Sequence, residues 1–173
     1  MKTESTNDPL QPGRMSTKLI QNLIDNYRQN HLSAINGALG IEDAHSIWFD
    51  LPKLKKFIAM IESEAAKTNP DITEEDLGIR FYYAAYPNGK NWDIMETHPV
   101  PEEYAERHTL VLIPTVKKSN EAGESDHYDF NFSGDRDSVA LALNARGIKM
   151  DEDTIGENNG QIIPPYNSRG ELF

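Results

Sequence analysis

The sequence predicts an α+β fold: a single small, mostly antiparallel sheet with helices packed on one face. Three observations predict it. Residues 46–67 read as a strand, a tight turn and a helix in one run. GIRFYYAAY (78–86) and HTLVLIPTV (108–116) read as strands carrying few charges. HYDFNF (127–132) alternates Tyr128, Phe130 and Phe132, the pattern of a half-buried strand. Strands so poor in charge do not face solvent on both sides, so helices on one face of one sheet are the economical arrangement.

Taken in order, residues 1–15 (MKTESTNDPLQPGRM) are polar and interrupted by Pro9, Pro12 and Gly13, and read as a flexible polar arm ahead of one domain, 16–173. They lack the charged start and apolar stretch of a secretory signal, so the cytoplasm is the expected compartment. Ser16 is a good N-cap residue. After it Leu19, Ile20, Leu23, Ile24 and Tyr27 form one stripe with His31 a turn beyond, an amphipathic helix. Asn36-Gly37 and Gly40 mark the loop that follows. SIWF (46–49) is a short strand. Asp50 then caps a helix whose first turn holds Pro52, where the missing N–H costs nothing. Leu51, Leu54, Phe57, Ile58 and Ile61 repeat at helical spacing, and Pro70 stops the run. Thr73-Glu74-Glu75-Asp76 has the form of a single capped turn.

Strand 46–49, helix 51–66 and strand 79–86 make a right-handed crossover, with 108–116 and 127–132 adding as antiparallel neighbours. Between the two longer strands lies an excursion of about twenty residues holding Trp92, Pro99 and Pro101. A loop of that length is often functional, and it also reads as a wandering hairpin connection. DSVALALNARG (137–147) reads as a short helix stopped by Gly147. The part from 119 to 173 is acidic and loop-rich. The expected core is Leu23, Ile24, Trp48, Phe49, Leu54, Phe57, Ile58, Ile61, Phe81, Tyr83, Leu110, Leu112 and Ile113.

Composition removes several function classes. The net charge is −11, from 17 Lys and Arg against 28 acids. Nucleic-acid binding begins with a basic surface, and so does binding to anionic membranes, so neither partner is expected. No cysteine occurs. Thiol catalysis and cysteine-ligated metals are therefore excluded. Neither a G-x-S-x-G elbow nor a glycine-rich phosphate cradle is present. Residues 119–160 hold ten acids against three bases, so they carry −7 of the −11.

Two patterns carry candidate chemistry. In DFNFSGDRD (129–137), Asp129, Asn131, Asp135 and Asp137 fall at alternate positions with Gly134 in between, the start of a calcium loop, and His127 shares a strand face with Asp129. Position 12 of such a loop is Ala140 instead of a bidentate glutamate. The same residues also read as a strand ending in a turn that caps the next helix. Calcium is the one cofactor this pattern suggests. The second pattern is Arg80 with Tyr82 on one strand face, opposite Phe81 and Tyr83. With the acidic residues Asp151, Glu152 and Asp153, these two supply an expected interaction surface suited to a basic protein partner.

The run SIWFDLPKLKKFIAMIE, then DLGIRFYYAAYP, HTLVLIPT and the closing NNGQIIPPY, resembles a family of small proteins found mainly in Bacteroidota, with the pattern W-F-x-L, G-[IV]-R-[IF]-Y and N-x-G-x-x-x-P-P. That family has no established activity. Its members often carry a histidine beside the first Asn of the closing segment, where this chain has Asn159, so no metal or catalytic role is carried over. The resemblance implies a bacterial context. The expected function is a non-enzymatic binding or accessory module with an acidic interaction surface. The alternative is a metal-dependent protein or enzyme using residues 127–137.

Overall fold

A computed structural model describes residues 13–119, 123–130, 155–163 and 172, and its class is α+β, as the sequence predicts. The arm ahead of Gly13, the expected helix over 137–147 and Phe132 lie outside the described residues.

Helical structure begins where Ser16 places it. Its Oγ accepts the N–H of Leu19 at 3.2 Å and caps α1 (Thr17–Asn26). The helix does not fade at His31. A π-helical segment, Tyr27–Leu32, carries the chain into α2 (Ser33–Leu39), and Gly40, with φ 68°, ends the run in the left-handed region. The wider π turn moves the inward stripe on by one residue, so Leu32 is buried and His31 is exposed.

Strand β1 (Ser46–Trp48) passes through Asp50 into α3 (Leu51–Thr68), with Pro52 in the first turn. Phe57, Ile61 and Ala65, four residues apart, form the buried ridge of α3. Phe57 and Ile61 pack on Leu112, and Ala65 packs with Val116 and Phe130. The expected capped turn is present: the Asp76 carboxylate accepts from the Thr73 N–H at 3.0 Å and from its hydroxyl at 2.7 Å. These bonds hold the Asp76 carboxyl below the usual carboxylate range, helped by the charge of Lys117.

Strands β2 (Leu77–Ala85), β3 (His108–Ser119) and β4 (Ser125–Asp129) form an antiparallel sheet in the order β2-β3-β4, with Phe81 opposite Leu112 and Thr115 opposite Asp129. A second, two-stranded sheet pairs β1 with β5 (Gln161–Ile163), Ile47 opposite Ile162. The expected single sheet and its crossover are thereby corrected: β1 does not join β2. Two features account for this. An antiparallel bridge between Leu112 and Glu157, with N–H···O distances of 2.8 and 3.1 Å, lays the C-terminal segment along β3 ahead of β4. Gly160 then lets that segment press on β1, since a Cβ there would stand 2.5 Å from Ile47 Cγ2 and 2.8 Å from the Phe49 ring. Pro114 sits at the seam where β3 changes partner, between the bridge at Leu112 and the bond from Phe130 N–H to the Pro114 carbonyl at 2.8 Å. A proline in a central strand is tolerated where no ladder donor is required of it.

Phe57, Ile61 and Leu112 are core residues as expected, with Phe49, Leu54 and Leu110 packed against them. Leu23, Trp48, Ile58, Phe81 and Tyr83 are exposed instead. The helical ridge covers β3 and the near side of β2, and among the described residues no strand lies beyond the outer edge of β2. No helix among the described residues is long and apolar enough to cross a membrane.

Candidate functional site

The long excursion is a closed loop. Its ends are tied by Tyr86 N–H to the Arg107 carbonyl at 3.0 Å and Glu106 N–H to the Pro87 carbonyl at 3.3 Å, and Glu106 takes a positive φ of 64° to make the return. Tyr86 pins it to the body. The ring lies 6.1 Å from Trp92 and 5.9 Å from Tyr104, in a cluster with Ala44 and Ile162. The Tyr86 hydroxyl donates to the Asn158 carbonyl and accepts from Thr109 Oγ1, both at 3.3 Å. Burial pushes the phenol of Tyr86 above its ordinary range, against the opposing effect of the Thr109 bond.

With the excursion fixed, a cleft of about 570 Å³ opens between it, the β1–β5 ribbon and the start of α3. Trp48, Lys53, His98, Tyr104 and Asn159 supply most of its chemical character. Trp48 is 56% exposed, an unusual state for an indole that packing alone would bury. Lys53 Nζ donates to the Asn159 carbonyl at 3.1 Å, and Asn159 N–H donates to Glu157 Oε1 at 2.7 Å, so the floor of the cleft is held from both sides. His98 Nδ1 lies 3.2 Å from Thr97 Oγ1. The same histidine borders a second hollow of about 320 Å³, formed with Ile94, Val111 and Glu157. The excursion is acidic: Asp93, Glu96, Glu102, Glu103 and Glu106 are exposed along it, against Lys90 and Arg107. Trp48 and Asp50 of the W-F-x-L segment and Asn159 and Gly160 of the closing segment therefore meet in one cleft.

The expected site residues divide. Arg80, Tyr82, Asp129 and His127 come together across the face of the three-stranded sheet. Arg80 Nη1 pairs with Asp129 Oδ1 at 2.5 Å, Nη2 donates to the His127 carbonyl at 2.6 Å, and the Tyr82 hydroxyl donates to Asp129 Oδ2. The bond to Tyr82 and the charge of Asp129 raise the Arg80 pKa further. Both oxygens of Asp129 are therefore engaged by protein donors, and His127 contributes its backbone. Asn131, Asp135 and Asp137 lie outside the described residues, as do Asp151, Glu152 and Asp153. Among the described residues no three His, Asp or Glu side chains gather as a metal site.

One polar centre had no local signal in the sequence. Asp43 is fully buried, and its Oδ1 accepts from the N–H groups of Ala44 and His108, both at 2.7 Å, while Oδ2 meets His108 Nδ1. Asn36 Oδ1 accepts the Asp43 N–H at 2.9 Å. Two bonds to His108 thus latch the segment after α2 onto the start of β3, and two more hold Asp43 within its own segment. Burial raises the pKa of nearby Tyr27, with the Asp43 charge as a further cause. Glu42 and Asp43 look alike in sequence, and only the return of His108 from a distant strand separates them.

Fold and cleft together define a small α+β protein with an aromatic-lined recess beside an acidic excursion. The chain matches no family model, no curated protein and no solved structure.

Proposed function

We propose that the protein is a non-enzymatic binding module of the bacterial cytoplasm whose cleft receives a basic, partly apolar segment of another protein. The observation that carries this reading is the cleft beside Trp48, with an exposed indole, Tyr104 and two prolines for contact and Glu102 and Glu103 on the excursion that walls it. Aromatic side chains that stand ready at a surface supply contact area at small ordering cost, and acidic neighbours favour cationic residues in the incoming segment. The acidic content of residues 119–160 supports the same sign of partner. The lining is mostly contact chemistry, indole, phenol, pyrrolidine rings and amides, beside the Asp50 carboxylate, the His98 imidazole and a lysine bonded to a carbonyl.

Fluorescence anisotropy tests the reading, with a set of dye-labelled Lys- and Arg-rich peptides carrying one apolar residue as probes. Binding should be lost in Trp48→Ala, and it should weaken steadily with salt as the Debye length falls from ~10 Å at 0.1 M to ~3 Å at 1 M. Trp48→Ala binding as well as the parent sinks the proposal, as does affinity that is indifferent to salt.

A further inference from the structure

We infer that the outer edge of β2 pairs with the β2 edge of a second copy of this chain, so that the two three-stranded sheets join into one six-stranded antiparallel sheet about a two-fold axis at Phe81.

The backbone polarity comes first. Leu112 gives its N–H and carbonyl to Glu157, on the side of β3 away from β2. Its β2 partner, Phe81, therefore belongs to a pair without mutual hydrogen bonds and directs its own N–H and carbonyl outward. By the period of two, Leu77, Ile79, Tyr83 and Ala85 do the same. The Leu77 N–H closes the capped turn on the Glu74 carbonyl, and among the described residues no strand pairs with the outward groups of Ile79, Phe81, Tyr83 and Ala85. The strand is nine residues long, without proline or a bulge, and its central part is Ile79-Arg80-Phe81-Tyr82-Tyr83. The one charge in it, Arg80, is turned across the other face to Asp129. Exposed edges are normally blunted by charge, proline or distortion, and this one has none of them.

The side chains point the same way. Phe81 is 53% exposed and Tyr83 89% exposed, on the face that carries α3. Phe81 and the exposed Ile58 of α3 border a groove of about 420 Å³ beside the edge. An unburied Ile–Phe–Tyr surface next to unpaired amides calls for a partner that is both a strand and apolar.

A second copy fits because the edge is complementary to itself. Full antiparallel overlap of the nine-residue strands sets Phe81 against Phe81, Ile79 against Tyr83 and Leu77 against Ala85 of the other copy. In that register Phe81 with Phe81 and Ile79 with Tyr83 are hydrogen-bonded pairs. The exposed Phe81 and Tyr83 of each copy then meet apolar or aromatic side chains of the other, Phe81 and Ile79, so each copy covers the surface that the other leaves open. Both copies keep α3 on the same face of the joined sheet, with Ile58 from each beside the central Phe81 pair.

The chain contains no cysteine, so single cysteines report on the register without interference. A hydrogen-bonded antiparallel pair brings Cα atoms to about 5.5 Å, within disulfide reach, whereas positions two residues either side of the axis stand roughly 13 Å apart. Phe81→Cys should cross-link to a covalent dimer under diamide, and Tyr83→Cys should not. Light scattering of the full chain should give twice the monomer mass. Phe81→Lys and Phe81→Glu should each be monomeric, since each sets like charges on the axis, and an equimolar mixture of the two should recover the dimer. A parent chain monomeric at every concentration overturns the inference and leaves the edge to a strand of a different protein. A dimer that survives both charged variants, or equal cross-linking at 81 and 83, overturns it as well. Should the charged variants fail to fold, the cysteine pair decides alone.

Discussion

Gly160→Ala is the sharpest test of how the cleft is built. The Cβ it adds would stand 2.5 Å from Ile47 Cγ2 and 2.8 and 2.9 Å from two atoms of the Phe49 ring. Carbon atoms are comfortable at about 3.5–4.0 Å, so the overlap is about 1 Å with two side chains at once. Neither gives way freely: Ile47 belongs to a strand position paired with Ile162, and Phe49 packs against the cluster of Phe57, Ile61 and Leu112. Overpacking of this kind costs about 1–3 kcal/mol. Alanine also restricts the unfolded chain, which offsets about 0.4–1 kcal/mol where the backbone conformation suits it. The two ranges leave a net loss of roughly 0–2.6 kcal/mol, and overlap with two side chains at once puts this site in the upper part of it. In urea, with a slope of about 1–3 kcal/mol/M, the midpoint should fall visibly without a change in slope. Gly156→Ala is the control, because its Cβ would meet the flexible end of Ile113 at 3.3 Å and the Leu112 carbonyl at an ordinary contact distance of 3.7 Å. It should be neutral or slightly stabilising, the opposite sign. On a Phe49→Leu background the cost of Gly160→Ala should shrink, since neighbours that share an overlap do not add. If Gly160→Ala leaves stability unchanged or raises it, the account of β5 pressed onto β1 is wrong.

Further outcomes follow from other parts of the fold. Phe57→Ala, at a ring 3% exposed, should cost about 3–5 kcal/mol in a denaturant titration; a loss under about 1 kcal/mol would place the ridge of α3 elsewhere. Asp43→Ala strips the acceptor from two backbone N–H groups and the His108 ring, and should cost about 3–5 kcal/mol by thermal or chemical unfolding, with retention of parental stability counting against the latch. Asp129→Asn should lower stability equally with and without millimolar calcium, because the lost partner is Arg80; a calcium-dependent melting temperature that the substitution abolishes would favour a metal at residues 127–137 instead. Tyr86 has its folded-state pKa raised, so its stabilising contribution is intact below the unfolded value near 10 and is lost as pH rises beyond it; Tyr86→Phe should flatten that alkaline decline in a pH series of melting temperatures.

The sequence announces whatever is local. The Ser16 cap, the strand–turn–helix from Ser46 to Thr68, the Thr73–Asp76 box and the long strands are all read from neighbours within a few residues, and all are present. Pairing is not local. Ser46–Trp48 is a three-residue strand that would suit any free edge, and its choice of β5 depends on Gly160 and the Glu157 bridge, more than a hundred residues downstream. The π turn at Tyr27–Leu32 leaves no mark on hydrophobic spacing, because an extra residue in one turn looks like a stripe that fades. For the site, the length of the excursion with its prolines and Trp92 was a usable signal. The placing of Trp48 was not: its spacing says core, and only the position of β1 at the rim makes it a cleft residue.

The two surfaces argued above are compatible by construction. Strand β3 has β2 on one side, and on the other the Glu157 bridge that leads to β5 and β1. The free edge and the cleft therefore belong to opposite margins of β3. Helix α3 reaches both, with Asp50 and Lys53 at its first turn bordering the cleft and Ile58 farther along bordering the edge groove. Joining two copies through β2 would bury Phe81 and Tyr83 and leave both Trp48 clefts open, at the outer ends of the joined sheet. Such a dimer presents two aromatic-lined recesses on one frame, so a partner carrying two basic segments would bind with an effective concentration for the second contact set by the spacing of the recesses. Monomeric Phe81→Lys should then keep its affinity for a single peptide while losing the added strength toward a tandem one. A loss of both would mean that edge and cleft are not separate surfaces.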